Sequence, residues 1–172
     1  MQERAGAFLF KDQQLTVLGA EVKVGDKAPE FTVAENVAKH VHAQDILAGK
    51  VTILSAVPSL DTGICDAQTR RFNEEVSKMG GKAQVATISM DLPMAQARWC
   101  GAAGLDNALI YSDHRDASFG KAFGCLVKEL RLLQRSVFVV DQDGVIRYAE
   151  YVPEIGQHPD YEKALAAVNA LI

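Results

Sequence analysis

The run Val51-Thr52-Ile53-Leu54-Ser55-Ala56-Val57 constrains the fold of this chain more than any other segment. It is mostly apolar, partly β-branched and without polar alternation, the pattern of a strand buried on both faces. Such a strand needs helices above and below its sheet, and the sequence supplies them. Residues 62–79 place Ile64, Ala67, Phe72, Val76 and Met79 at a helical period on one face, and Gly80-Gly81 marks the stop. Val85-Ala86-Thr87-Ile88-Ser89-Met90 reads as the next strand. A second helix begins near Pro93, a favoured first-turn residue, and runs past Cys100 to a stop at Gly101 or Gly104.

The flanks extend this alternation. Residues 7–10 and 15–18, with a polar turn between them, predict an N-terminal β-hairpin, and Glu30-Phe31-Thr32-Val33 a further extended piece. After Ala108-Leu109-Ile110-Tyr111 comes a short helix around 116–123, ended by Gly124. Residues 136–140 and 145–149 form two more strands joined at Asp143-Gly144, a strong hairpin signal. Pro159-Asp160 starts a last helix with Tyr161, Leu165, Val168 and Ile172 on one face. No repeat, low-complexity tract or linker interrupts the 172 residues, and 48% of them are hydrophobic, so one domain over 1–172 is expected. The pattern predicts an α/β fold of thioredoxin-like type, with a mixed central sheet flanked by helices and the N-terminal hairpin at about 7–18.

Charge and cysteine usage narrow the function. With 18 Lys and Arg against 22 Asp and Glu, the net charge of −4 argues against nucleic-acid binding. No apolar run reaches the ~20 residues of a membrane span, and the apolar stretch at residues 7–10 is too short for a signal-peptide core. A cytoplasmic protein without membrane attachment is therefore expected. Cys65, Cys100 and Cys125 are too few and too spread for a disulfide scaffold, and in a reducing compartment any disulfide would be transient, catalytic or redox-sensing. No Cys-x-x-Cys, His-Cys spacing, Gly-rich phosphate loop or Ser-His-Asp set stands out, so neither a metal nor a cofactor is expected. His40 and His42 alternate like a surface strand or loop.

The stretch Val57-Pro58-Ser59-Leu60-Asp61-Thr62-Gly63-Ile64-Cys65 joins the end of the buried strand to the start of a helix. Sites in open α/β sheets lie at the carboxyl ends of strands. A cysteine in a first helical turn meets free N–H groups and the positive end of the helix dipole, both of which favour thiolate. A free thiol is only a few per cent ionised at pH 7. Ionising most of it takes about 3 kcal/mol of preferential stabilisation, more than a helix terminus usually supplies. A nearby cation is expected. Read alone, however, Cys65 is an ordinary small buried residue, Thr62 a helix N-cap and Arg135 a strand-edge charge.

Pro58, Thr62 and Cys65 match the Pro-x-x-x-Thr-x-x-Cys motif of the peroxiredoxins. The blocks 58–65 and Ser89-Met90-Asp91-Leu92-Pro93-Met94-Ala95-Gln96-Ala97-Arg98-Trp99-Cys100-Gly101 resemble the bacterial thiol peroxidases, the atypical two-cysteine subfamily. The likeness runs from Gly25-Asp26 to Tyr161-Glu162, and two long blocks in order, each with a cysteine, are specific. The resemblance implies a thiol-dependent peroxidase acting on hydrogen peroxide and organic hydroperoxides. Cys65 would attack the peroxide, Thr62 and helix N–H groups would bond its oxygens, and Pro58 would shield the thiolate. Arg135 would be the cation, with Arg70, Arg71 and Arg98 as rivals and Arg98 the foremost second contributor. It further implies an intramolecular Cys65–Cys100 disulfide, recycling by thioredoxin and a non-covalent homodimer, with Cys125 a passive thiol. Because Cys100 falls late in its helix, local unwinding around residues 93–101 is expected during disulfide formation. Two other readings stand beside this one. The first is a redox sensor that passes oxidation to a protein partner. The second is a general disulfide oxidoreductase, disfavoured because Gly63-Ile64 precede Cys65 where a Cys-x-x-Cys pair would need its first cysteine.

Overall fold

The computed structural model describes all of residues 1–172. The chain opens with the hairpin β1 (Glu3–Phe10) and β2 (Gln13–Leu18), which turns at Lys11 with φ 53°. Next come β3 (Thr32–Ala34), β4 (His40–His42) and the short α1 (Ala43–Leu47). The central units are β5 (Val51–Ala56), α2 (Gly63–Ser77), β6 (Ala83–Ser89), α3 (Pro93–Ala103) and β7 (Leu109–Ser112). Then follow α4 (Ser118–Ala122), β8 (Leu126–Val127), β9 (Leu132–Leu133), β10 (Ser136–Val140), β11 (Ile146–Tyr151) and α5 (Tyr161–Asn169).

The main sheet has seven strands in the order β11-β10-β5-β6-β7-β3-β4. β5, β6 and β7 run parallel, while β10 pairs antiparallel with β5, and β11 with β10. β1, β2, β8 and β9 form a second, four-stranded antiparallel sheet. Every residue of β5 and β10 is buried, as an uninterrupted apolar run requires.

Alternation along these strands feeds two cores. Leu54, Ala56, Ile88, Phe138 and Val140 face one side, where Phe31, Phe119 and Phe123 pack with ring centroids 4.6–5.7 Å apart. Ile53, Val85, Val137 and Val139 face the other, against Phe72 of α2 and Ala164, Leu165 and Val168 of α5. A smaller cluster of Val57, Leu60, Cys65, Trp99 and Ile110 joins α2 to α3. The crossovers β5–α2–β6 and β6–α3–β7 therefore start both helices from the same end of the sheet, the end that carries Cys65.

The structure departs from the sequence reading at the margins. β3 begins at Thr32 rather than Glu30, since Phe31 turns into the aromatic core and its carbonyl accepts the Ala43 N–H at 2.9 Å. Ile172 lies beyond α5 and is 41% exposed, so it does not extend the buried face of that helix. α1, β8 and β9 are too short to show a period, and no sequence signal marks them.

The hairpin sheet is fastened where Gly19 and Gly124 pass each other. Gly124 has φ 63°, and a Cβ there would lie 2.2 Å from the Ala20 carbonyl oxygen. Both the backbone conformation and the close approach demand glycine. Gly124→Ala is expected to lower stability by about 2–4 kcal/mol. A shifted urea midpoint with an unchanged slope would show this, and a midpoint equal to wild type would refute the packing.

Candidate active site

The segment between β5 and α2 is held from below by one carboxylate. Asp91 accepts hydrogen bonds from Ser59 Oγ at 2.7 Å, Leu60 N at 2.9 Å and Ser89 Oγ at 2.7 Å. That ties the Cys65 loop to the turn before α3. Pro58 is buried, and Leu60 packs into the cluster with Cys65. Thr62 takes the extended N-cap conformation, φ −106° and ψ 148°, but its side chain does not cap the helix. Its hydroxyl donates instead to the Ser59 carbonyl at 2.9 Å. The opening N–H groups of α2 thus have no side-chain acceptor, and Cys65 lies within that first turn, fully buried.

Arg135 arrives from the far side. β10 pairs with β5 so that Ser136 faces Ala56, which brings the preceding residue alongside the end of β5 where the Cys65 loop begins. Arg135 is 1% exposed. Its Nη1 donates to Cys65 Sγ at 3.4 Å and to Gln68 Oε1 at 2.9 Å, and its Nη2 donates to the Ile155 carbonyl at 3.0 Å. No carboxylate partners it. A buried guanidinium surrounded only by neutral acceptors is costly, and the group beside it that can supply a full negative charge is the Cys65 sulfur.

Gln68 was not among the residues that the sequence singled out. It is fully buried, and its Nε2 donates to Ser55 Oγ at 2.8 Å, so the amide is oriented with its oxygen toward Arg135. The available signal was a polar residue on the same buried stripe of α2 as Cys65 and Phe72. The rival arginines are occupied elsewhere. Arg70 pairs with Asp66 at 2.8 Å, Arg71 with Glu162, and Arg98 with Asp61 at 3.8 Å on the exposed surface. Arg98, expected as a second cation, does not reach hydrogen-bond distance of the thiol, because its long side chain is turned to solvent.

All three cysteines are free thiols. Cys100 is half-buried in the second half of α3, and burial first, then Asp106, raises its pKa. Cys125 is fully buried beyond α4, and desolvation raises its pKa well above the ordinary thiol value. The structure therefore sets the Arg135 guanidinium on the Cys65 sulfur, keeps Pro58 and Thr62 on the segment that leads into the Cys65 helix, places Cys100 on the neighbouring helix and leaves Cys125 in the aromatic core.

A central parallel unit with a buried thiol at a helix start and a guanidinium beside it defines a thioredoxin-like, thiol-based redox protein. The sequence pattern of the Redoxin family matches residues 23–165. The thiol peroxidase of Bacillus subtilis is 59% identical over 163 residues, covering 95% of this chain and 96% of that protein. The thiol peroxidase of Halalkalibacterium halodurans is 55% identical over 163 residues, covering 95% and 97%. The crystal structure of a peroxiredoxin-like protein from Aquifex aeolicus aligns with a TM-score of 0.87 at 35% identity, covering 98% of each chain. This chain belongs to the Redoxin family and, within it, to the thiol peroxidases. It is a peroxiredoxin-type peroxidase. No helix is long and apolar enough to cross a membrane.

The unequal surroundings of the thiols set their reactivity. In native protein, N-ethylmaleimide is expected to label Cys125 at least about tenfold more slowly than Cys100, with labelling equalised in denaturant. Peptide mass spectrometry that found Cys125 labelled as fast as Cys100 without denaturant would contradict the packing around α4.

Proposed function

We propose that the peroxidase reaction runs through a Cys65 sulfenic acid and an intramolecular Cys65–Cys100 disulfide, and that thioredoxin reduces the disulfide. The observation that carries the first step is the buried Arg135, whose guanidinium lies on Cys65 Sγ with no carboxylate to neutralise it. The guanidinium and the uncapped N–H groups of the helix start meet at the sulfur that supplies the electron pair. The thiolate attacks one oxygen of a hydroperoxide, and the O–O bond breaks. The sulfur becomes a sulfenic acid, while the departing oxygen takes a proton and leaves as water or an alcohol.

The surrounding groups suit that displacement. Negative charge moves from sulfur toward the leaving oxygen, so preorganised donors are worth most along that line. The uncapped N–H groups of α2 and the Arg135 guanidinium are such donors. The Thr62 hydroxyl has its proton on the Ser59 carbonyl, which leaves its oxygen lone pairs to accept the hydroperoxide O–H. Thr62 would then accept from the substrate while the N–H groups donate to it. Pro58, buried on the segment that leads to Cys65 and without an N–H, is suited to shielding the sulfur without competing for it.

Cys100 then attacks the sulfenic sulfur, forming the disulfide and releasing water. Its half-exposed position on the adjacent helix supports this choice over Cys125, which would have to leave the aromatic core. We further propose hydrogen peroxide and organic hydroperoxides as substrates, thioredoxin as the reductant, a cytoplasmic location and a non-covalent homodimer; the name of the relatives, thiol peroxidase, supports a hydroperoxide substrate and a thiol reductant.

Thioredoxin-coupled NADPH oxidation is the test. Cys65→Ser is expected to retain less than about 1% of turnover, because a hydroxyl at neutral pH supplies no comparable nucleophile. Substantial residual turnover would sink the assignment. Arg135→Met should fold, since an apolar side chain of similar reach replaces an isolated buried charge. It is expected to slow sulfenic acid formation by about 10–100-fold in stopped flow, and an unchanged rate would remove Arg135 from the step. Cys125→Ser should keep coupled turnover and Cys100→Ser should lose it; the reverse pattern, or a dominant Cys65–Cys125 link in peptide maps, would overturn the proposed disulfide.

A further inference from the structure

Two cross-helix hydrogen bonds fasten α3 to α2 immediately beside the two reactive cysteines. Trp99 Nε1 donates to Asp66 Oδ1 at 3.0 Å, and Arg70 Nη1 donates to the Ala103 carbonyl at 3.3 Å. Both bonds join residues 33 positions apart, so the helices run parallel in one register over this turn. Arg70 completes the arrangement. Its Nε donates to Asp66 Oδ2 at 2.8 Å, and its guanidinium carbon stands 5.5 Å from the centroid of the Trp99 ring.

Asp66 follows Cys65 and Trp99 precedes Cys100. Consecutive residues of an α-helix point about 100° apart. The bonded pair therefore occupies the seam between the helices, and each cysteine lies one position off it. A disulfide needs Cα atoms within about 7 Å, whereas Cα atoms turned about 100° from the seam stand no closer than the helix axes, about 8–10 Å. For Cys100 to reach Cys65, Trp99 has to leave the seam. The rest of α3 is anchored differently. Gln96, in its first half, donates to Ser89 Oγ at 3.0 Å and to the Tyr111 carbonyl at 2.8 Å. The half carrying Cys100 ends at Gly104 in the left-handed conformation, φ 71°, with no side-chain cap at the start of the helix. Its polar attachment to α2 is the Asp66–Trp99–Arg70 group.

We propose that Asp66, Trp99 and Arg70 form a clasp whose opening sets the rate at which Cys100 reaches the Cys65 sulfenic acid. They are positioning residues and take no part in the peroxide step. The inference rests on Cys100 being the resolving cysteine. The chemistry is the resolution step itself: Cys100 sulfur bonds to Cys65 sulfur, the sulfenic hydroxyl leaves, and with the thiol proton it departs as water. A tighter clasp prolongs the sulfenic acid and exposes it to a second peroxide, which gives sulfinic acid. A looser clasp favours the disulfide.

The test separates the two steps by rapid quench. Full-length reduced protein is mixed with one equivalent of hydrogen peroxide, quenched at intervals, alkylated and mapped by mass spectrometry. Trp99→Phe keeps an aromatic ring in the cluster and deletes the indole N–H. It is expected to form the Cys65–Cys100 disulfide about 3–10-fold faster, with sulfenic acid formation within about twofold of wild type. Hydrogen exchange should rise at residues 97–103 and not in β6. Asp66→Ala, which also frees Arg70, should accelerate resolution at least as much, and the double variant no more than Asp66→Ala alone, because both changes remove the Trp99–Asp66 bond. If Trp99→Phe does not fold, Arg70→Met carries the same expectation through the Ala103 and Asp66 contacts. Unchanged or slower resolution, or accelerations that add, would overturn the clasp while leaving Cys100 as the resolving residue. A wild-type map without the Cys65–Cys100 disulfide would overturn that reading, and the clasp with it.

Discussion

The contact between the Arg135 guanidinium and the Cys65 sulfur, 3.4 Å apart in the interior, is the interaction around which the rest of the molecule is arranged. An arginine 1% exposed and without a carboxylate needs every available acceptor aimed at it. Those acceptors come from distant parts of the chain. Gln68 is oriented by Ser55 of β5. The Ile155 carbonyl is presented by a segment that exchanges backbone hydrogen bonds with Leu9 of β1, through Pro153 O at 2.8 Å and Ile155 N at 3.1 Å. The N-terminal hairpin, remote from the thiol in sequence, therefore helps to hold the arginine. Nε of Arg135 is buried without a partner, which leaves the guanidinium only partly satisfied by the protein.

The helices that carry Cys65 and Cys100 differ in their surroundings. α2 packs Phe72 edge-on against Tyr161 of α5 at 5.4 Å, and within the helix Thr69 donates to the Cys65 carbonyl at 2.8 Å. Neither helix has a side-chain cap at its start, but α3 contains Gly101 near its end and stops on Gly104 in the left-handed conformation. Among the three thiols burial makes the division. Cys125 is enclosed by the aromatic core, where burial raises its pKa, while Cys100 is half-buried on α3.

Much of this was legible in the residues. The apolar run of β5, the period of α2, the Asp143-Gly144 turn and the glycine stop of α3 each announce themselves through local sterics or side-chain alternation. Thr62 and Cys65 are close in sequence on one strand-to-helix turn, so their proximity is a local property. Arg135 is different. Nothing around it distinguishes an arginine at a strand edge from one in the core, and only the family likeness pointed to it.

The sequence by itself determined the alternation of strands and helices, the end of the sheet that holds the site, and the thiol at the helix start. These follow from periodicity and backbone preference, which act over a few residues. Only the tertiary structure decided that Arg135, Gln68 and Ser55 converge and that Asp66 meets Trp99. Polar partnerships between side chains far apart in the chain depend on strand register and helix packing. A hydrogen bond is made or lost within an ångström, far finer than any pattern of residue types can specify.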